Sequence, residues 1–173
     1  MQLKGKKVAI LAEELYEDTE LWYPYHRMRE AGADVKIVGA ASSPDVVGSK
    51  YGYPVKIHLR ASEANPDDFD AVIIPGGYAP DRLRRCKATL GFVKNLFDQG
   101  KVVAAICHAG WVLVSAGVLK GKRVTSYFAI KDDMMNAGAD WVDEEVVVDG
   151  GLITSRCPAD LPAFCREIIR VLS

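Results

Sequence analysis

Short, nearly continuous apolar runs alternate along this chain with longer segments of mixed polarity. KKVAILA (6–12), ADVKIVGA (33–40), DAVIIPGG (70–77) and KVVAAIC (101–107) read as strands buried on both faces, because a strand with one wet face would alternate strictly. ELWYPYHRMREAG (20–32) has helical spacing, with Asp18 or Thr19 to cap its start, Pro24 within its first turns and Gly32 to end it. VVGSKYGYPVKIHL (46–59) reads as a small hairpin or excursion, and NPDDF (65–69) as a turn. Pro80 opens a helix expected to run through GFVKNLFDQG to Gly100. HAGWVLVSAGVL is the next helix, KRVTSYF a strand and IKDDMMNAG a short helix. WVDEEVVVDGGLITSR (141–156) reads as a hairpin around Asp149–Gly150–Gly151. PADLPAFCREIIRVL closes the chain as a helix with Leu161, Phe164, Ile168 and Leu172 on one face.

This alternation predicts an α/β fold: a mostly parallel sheet with helices on both faces, in a single domain over residues 1–173. Ligands of such sheets bind at the carboxyl ends of the strands. Three loops there carry chemistry: AEELYED after the first strand, PGGYAPD after the third and CHAG after the fourth.

Composition removes several function classes. The formal net charge is −1, so no basic surplus points to nucleic acid. No apolar run approaches the roughly 20 residues that cross a bilayer, so no membrane partner is expected. MQLKGKKVAILAEE is too short in its apolar part for a signal peptide, and the expected location is cytoplasmic. Cys86, Cys107, Cys157 and Cys165 lack CxxC spacing, and His26, His58 and His108 lack ligand spacing, so neither disulfides nor a metal is expected. Neither GxGxxG nor GxxxxGK[ST] follows the first strand, which leaves dinucleotide and P-loop readings without support, and no cofactor is expected.

AAICHAG carries the sharpest signal. A tight strand-to-helix turn pushes one side chain out above the sheet, and it demands small residues two positions before and after, here Ala105 and Ala109 around Cys107. The free amides of the helix that follows favour negative charge on sulfur and can hold an oxyanion. The competing reading is a buried cysteine that fills space. His108 is either a base for Cys107 or a solvent-facing residue at a helix start; adjacent helical residues do not face each other, so the first reading requires Cys107 to lie in the turn. Trp22, Tyr23 and Tyr25 read as helix-face packing or a subunit contact rather than a binding box.

YEDTELWYPYHRMREAG, DAVIIPGGYAPDRLR, AAICHAG, VLKGKRVTSY, IKDDMMNAGADWVDEEVVVDG and ITSR followed by PAD, together spanning nearly the whole chain, resemble the PfpI family of the ThiJ/PfpI superfamily. The resemblance implies a flavodoxin-like three-layer sandwich similar to class I glutamine amidotransferases, with the cysteine on a nucleophile elbow. It makes Cys107 the nucleophile and His108 the base, and sets Glu17 against the sulfur. It puts the amides of Gly77 and His108 in the oxyanion hole. It also implies that Asp81 reaches His108 across a subunit contact, so the protein is expected to be a homo-oligomer. Gly76, Tyr78 and Tyr127 fall near the substrate by the same likeness. Three positions depart from the family pattern: Asp81 stands where some relatives have glutamate, Ala109 where the elbow commonly has glycine, and Tyr78 where other members carry different residues, so substrate contacts at Tyr78 do not transfer from the family.

The expected function is therefore that of a cysteine-dependent hydrolase without cofactor. Its implied substrates are peptides, small carbonyl compounds such as methylglyoxal and glyoxal, or their early adducts on proteins. A glutamine amidotransferase needs a histidine well downstream of the cysteine, and none follows His108. The non-enzymatic alternative is a stress-response chaperone or a cysteine redox sensor.

Overall fold

A computed structural model describes residues Met1–Ser173. Its main sheet contains β1 (Lys7–Ala12), β2 (Asp34–Gly39), β5 (Leu59–Arg60), β6 (Ala71–Ile74), β7 (Val102–Ile106), β10 (Val146–Asp149) and β11 (Leu152–Ser155) in the order β10-β11-β7-β6-β1-β2-β5. All pairs are parallel except β10–β11. β3 (Val46–Gly48) and β4 (Pro54–Lys56) form the small antiparallel hairpin, and β8 (Arg123–Val124) pairs in parallel with β9 (Asp140–Trp141).

α1 (Asp18–Glu30) and α6 (Leu161–Leu172) pack together on one face of the sheet. α2 (Ala79–Leu83), α3 (Lys87–Asp98), α4 (Gly110–Ala116) and α5 (Lys131–Asn136) cover the other. Covered on both sides, β6 and β7 are buried along their whole length, which explains why their sequences are unbroken apolar runs. Leu161, Phe164, Ile168 and Leu172 of α6 are all buried against the sheet, as their spacing predicts, each contributing about 1.5–3 kcal/mol.

Four elements differ from the sequence reading. The helix expected from Pro80 to Gly100 is two helices, α2 and α3, because Cys86 leaves the helical region at φ −93° and ψ 110° and caps α3 afresh. KRVTSYF is a strand only at Arg123–Val124; beyond it the chain is held by side chains, with the Thr125 amide donating to Thr154 Oγ1 at 2.9 Å and Trp141 Nε1 donating to Ser126 Oγ at 3.0 Å. Pro24 lies well inside α1, past the first turn. The 3₁₀ turn Cys107–Ala109 precedes α4, so the helix starts later than expected.

β1 is flanked by β2 on one side and β6 on the other, so successive connections leave β1 in opposite directions. That switch point opens a crevice above the carboxyl ends of the strands. The loops after β1, β6 and β7 meet there. The first two are stitched together: the Tyr78 amide donates to Leu15 O at 2.9 Å, and the Glu17 amide donates to Gly76 O at 3.2 Å.

Candidate active site

Cys107 has φ +63°, a left-handed conformation that costs a residue with a Cβ roughly 1–2 kcal/mol. The sequence accommodates the bend with Ala105 and Ala109, both buried, where larger side chains would meet the turn. Ala109 is right-handed at φ −61°, a conformation that alanine adopts without strain. The bend is fixed from outside by the Tyr127 amide, which donates to Cys107 O at 3.2 Å.

The bend aims a half-buried sulfur at hydrogen-bond donors. The amides of His108 and Gly77 both point to it. Gly77 has φ +79°, and a Cβ there would lie 2.5 Å from the Glu17 nitrogen, so only glycine brings this amide so close. His108 Nδ1 lies 3.3 Å from Cys107 Sγ. The His108 ring stacks on Tyr127 at 4.9 Å and meets Trp111 edge-on at 5.2 Å. Burial, with Lys50 nearby, pushes the imidazole below its ordinary pKa, so it is neutral and able to take a proton at pH 7.

The carboxyl that faces the sulfur belongs to Glu20 and not to Glu17. Glu20 is fully buried; its Oε2 accepts from the Gly76 amide at 2.7 Å, and its Oε1 has no nitrogen or oxygen partner. Glu17 precedes α1 and instead pairs with Lys50 Nζ at 2.8 Å. Helical spacing explains the difference: Glu20, Pro24 and Met28 share the buried face of α1, and Glu17 lies outside the helix. The signal was present in the sequence as an acid in register with the core face.

Burial pushes the Cys107 thiol up to about 12, with the charge of Glu20 adding to the rise. Burial also lifts Glu20 to about 7. Each group disfavours the charge of the other, so the two titrate as a unit sharing one negative charge. When the proton sits on Glu20, the repulsion vanishes and the carboxyl becomes one more donor toward the sulfur.

Gly76, expected near substrate, is buried behind the site: a Cβ there would lie 2.5 Å from Glu20 Oε2 and 2.8 Å from Cys107 Cβ. Its chemistry is therefore to let the carboxyl and the sulfur meet. Tyr78 and Tyr127 are exposed at the mouth, where Lys50 Nζ lies 5.9 Å from the centre of the Tyr78 ring. Asp81, on α2, points to solvent, and its one ion pair is a 4.0 Å approach to Arg85; within this chain it does not contact His108. Lys50 and Trp111 also border the site, although neither was expected from the sequence. No group of three or more His, Cys, Asp or Glu side chains is placed to hold a metal ion.

Cys107 thus sits in a left-handed bend between a parallel strand and a helix, with two amides and the buried carboxyl of Glu20 beside its sulfur. A model of the DJ-1/PfpI family matches residues 6–171. The chain belongs to that family. A deglycase of Pyrococcus abyssi is 50% identical over 166 residues, spanning 96% of this chain and 99% of that protein. Protein/nucleic acid deglycase 2 of Escherichia coli is 41% identical over 169 residues, spanning 97% of this chain and 98% of that protein. Among solved DJ-1/PfpI structures, a two-domain protein of Anabaena variabilis with DJ-1/ThiJ/PfpI-like and ferritin-like domains superposes with a TM-score of 0.94 at 46% identity, over 96% of this chain and 48% of that one. The DJ-1β structure of Drosophila melanogaster matches with a TM-score of 0.90 at 28% identity, over 96% of this chain and 90% of that one. All seven strands of the main sheet lie between Lys7 and Ser155, within the residues that the family model matches.

Proposed function

We propose that this protein is a cysteine-dependent hydrolase that removes small carbonyl adducts, a deglycase, with Cys107 as its nucleophile. The observation that supports this most directly is the sulfur at a strained bend facing the amides of Gly77 and His108 and the carboxyl of Glu20. The Cys107 thiolate attacks the electrophilic carbon of a glyoxal-type adduct, forming a C–S bond while charge moves to the substrate oxygen. The Gly77 and His108 amides hold that oxygen. Glu20 keeps the proton that leaves the thiolate free, and the His108 imidazole at 3.3 Å relays a proton to and from the reacting atoms. From an adduct the amine leaves with a proton; a proton then shifts from the sulfur-bearing carbon to the neighbouring carbonyl carbon through an enediol, giving an α-hydroxy thioester. Water cleaves its C–S bond to release the free thiol and the acid, lactate from methylglyoxal or glycolate from glyoxal.

Relatives bearing the deglycase name over nearly their full length support this substrate class. A small carbonyl suits a half-buried sulfur ringed by Tyr78, Trp111 and Tyr127 better than an extended peptide does. Asp81, solvent-facing here, orients His108 from a neighbouring copy in our reading, which requires a homo-oligomer. The cysteines are all unpaired, the state kept by a reducing compartment, and we place the protein in the cytoplasm. No helix is long and apolar enough to cross a membrane.

The test is steady-state release of lactate from methylglyoxal and from methylglyoxal-treated N-acetyl amino acids, beside a peptide panel. Measurements use wild type, Cys107→Ala and Asp81→Asn, with the mass in solution recorded. Turnover abolished in Cys107→Ala supports the enzyme. Oxidation of Cys107 by peroxide without turnover on any substrate makes it a sensor instead, and cleavage of peptides alone makes it a peptidase.

A further inference from the structure

A second cysteine is set among donors, away from Cys107. The break between α2 and α3 puts Cys86 at the N-cap of the twelve-residue helix α3. Its half-buried sulfur accepts from the Ala41 amide, in the loop after β2, at 3.4 Å. The amides of Ala88 and Thr89, in the first turn of α3, lie beside the same sulfur without a capping hydrogen bond to it. Thr89 is fully buried beside that sulfur, and its hydroxyl has no hydrogen-bond partner. These donors come from two separate segments, and a neutral thiol, a weak acceptor, makes poor use of them.

Cys86 also borders a surface cavity of about 390 Å³ together with Glu13, Glu14, Ser42, Arg82 and Arg85. The acids there are engaged inward: Glu13 binds the Ser43 hydroxyl, and Glu14 accepts from the Gly48 amide at 3.0 Å. The arginines are exposed; Arg82 makes no ion pair and Arg85 only the 4.0 Å approach to Asp81. The cavity therefore offers an anion two guanidinium groups beside a sulfur.

We propose that Cys86 is a modification site that exchanges with low-molecular-weight disulfides carrying carboxylates, with Arg82 and Arg85 receiving the carboxylates. The Cys86 sulfur attacks one sulfur of the incoming disulfide. A new S–S bond forms, the old one breaks, and the departing half leaves with the electron pair as a thiolate. Cys86 is oxidised, the departing half is reduced, and the atoms balance. The donors around Cys86 hold its thiol below the ordinary range despite its partial burial, whereas burial holds Cys107 and Cys165 well above it.

Intact and digested protein are followed by mass spectrometry during exposure to oxidised glutathione, an anionic disulfide, and to cystamine, a cationic one. Expected is labelling of Cys86 about tenfold faster than half-buried Cys157 at pH 7. Arg82→Ala/Arg85→Ala slows exchange with oxidised glutathione about tenfold and leaves cystamine unslowed. Thr89→Val slows both. Cys86→Ser, which supplies a favourable capping oxygen and so preserves the helix, abolishes the label and leaves Cys107-dependent turnover unchanged. Labelling of Cys157 at an equal or greater rate overturns the site. Equal slowing of both disulfides by the arginine double variant overturns the anion recognition. The labelling is read without turnover, so its failure is distinct from failure of the hydrolase reading.

Discussion

The carboxyl of Glu20 reaches across Gly76 to the sulfur of Cys107, held there by a 2.7 Å hydrogen bond from the Gly76 amide. Two acids that share a buried space cannot both be charged cheaply, and the state of one sets the state of the other. Most of the testable chemistry of this protein follows from that pairing.

The first consequence concerns alkylation. In wild type, the rate at which iodoacetamide labels Cys107 should rise with pH in two steps, the lower one near the Glu20 value of about 7, because the pair loses its protons in sequence. Glu20→Gln retains a donor toward the sulfur but has no proton to lose. Its Cys107 rate should therefore rise in a single step. Labelling is read on the Cys107 peptide, so that Cys86 does not contribute. A two-step profile in Glu20→Gln would remove Glu20 from the titration.

The same pair costs stability. Glu20 rises from an ordinary 4.5 to about 7 on folding, so the folded chain binds a proton there that the unfolded chain has released. Its contribution is fully present below pH 4.5 and is lost as pH rises toward 7. Glu20→Gln should accordingly be more stable than wild type at pH 8, by up to about 3 kcal/mol, and should match it near pH 4. Urea unfolding at the two pH values measures the difference.

Gly76→Ala tests the close approach itself. The added methyl would sit 2.5 Å from Glu20 Oε2 and 2.8 Å from Cys107 Cβ. The carboxyl is the movable partner, so it should swing off the sulfur while the sheet beneath holds. We expect turnover to fall about 100-fold, since displacing a reacting group by an ångström costs that much. Stability should drop by about 1–3 kcal/mol, the range for overpacking. Turnover unchanged in a folded variant would show that Glu20 need not touch Cys107.

Asp149 gives stability the opposite pH dependence. The Arg123 amide donates to its carboxylate at 2.9 Å and Lys122 Nζ at 3.1 Å, and this holds its pKa below the ordinary 3.8. The contribution is present above pH 3.8 and is lost as pH falls below it. Asp149→Asn should be less stable than wild type at pH 7 by about 1 kcal/mol, the scale of a partly exposed pair, and the gap should narrow toward pH 2. Thermal unfolding across that range checks it.

Residue spacing made much of the molecule legible. Nearly unbroken apolar runs placed β1, β6 and β7, because strands covered on both faces admit few polar side chains, while β2 keeps Asp34 and Lys36 exposed among its apolar residues. Small residues around Cys107 marked the elbow, because the bend leaves no room for others. The division of α2 from α3 escaped the reading, since nothing local forbids a helix through Arg84–Cys86; the sulfur's acceptance from Ala41 across the molecule accompanies the break. The choice between Glu17 and Glu20 escaped it as well. Both acids fit the loop, and only the seating of α1 against the sheet decides which one turns inward.

By itself the sequence determined the layered α/β architecture, the loops that meet at the crevice, and the cysteine that occupies the bend, because periodicity and side-chain size act locally. Tertiary structure alone decided which carboxyl faces the sulfur, how burial shifts both acids, and that a second cysteine gathers donors from distant segments. Those properties depend on distances between residues far apart in the chain and on the exclusion of water, neither of which exists until the layers close.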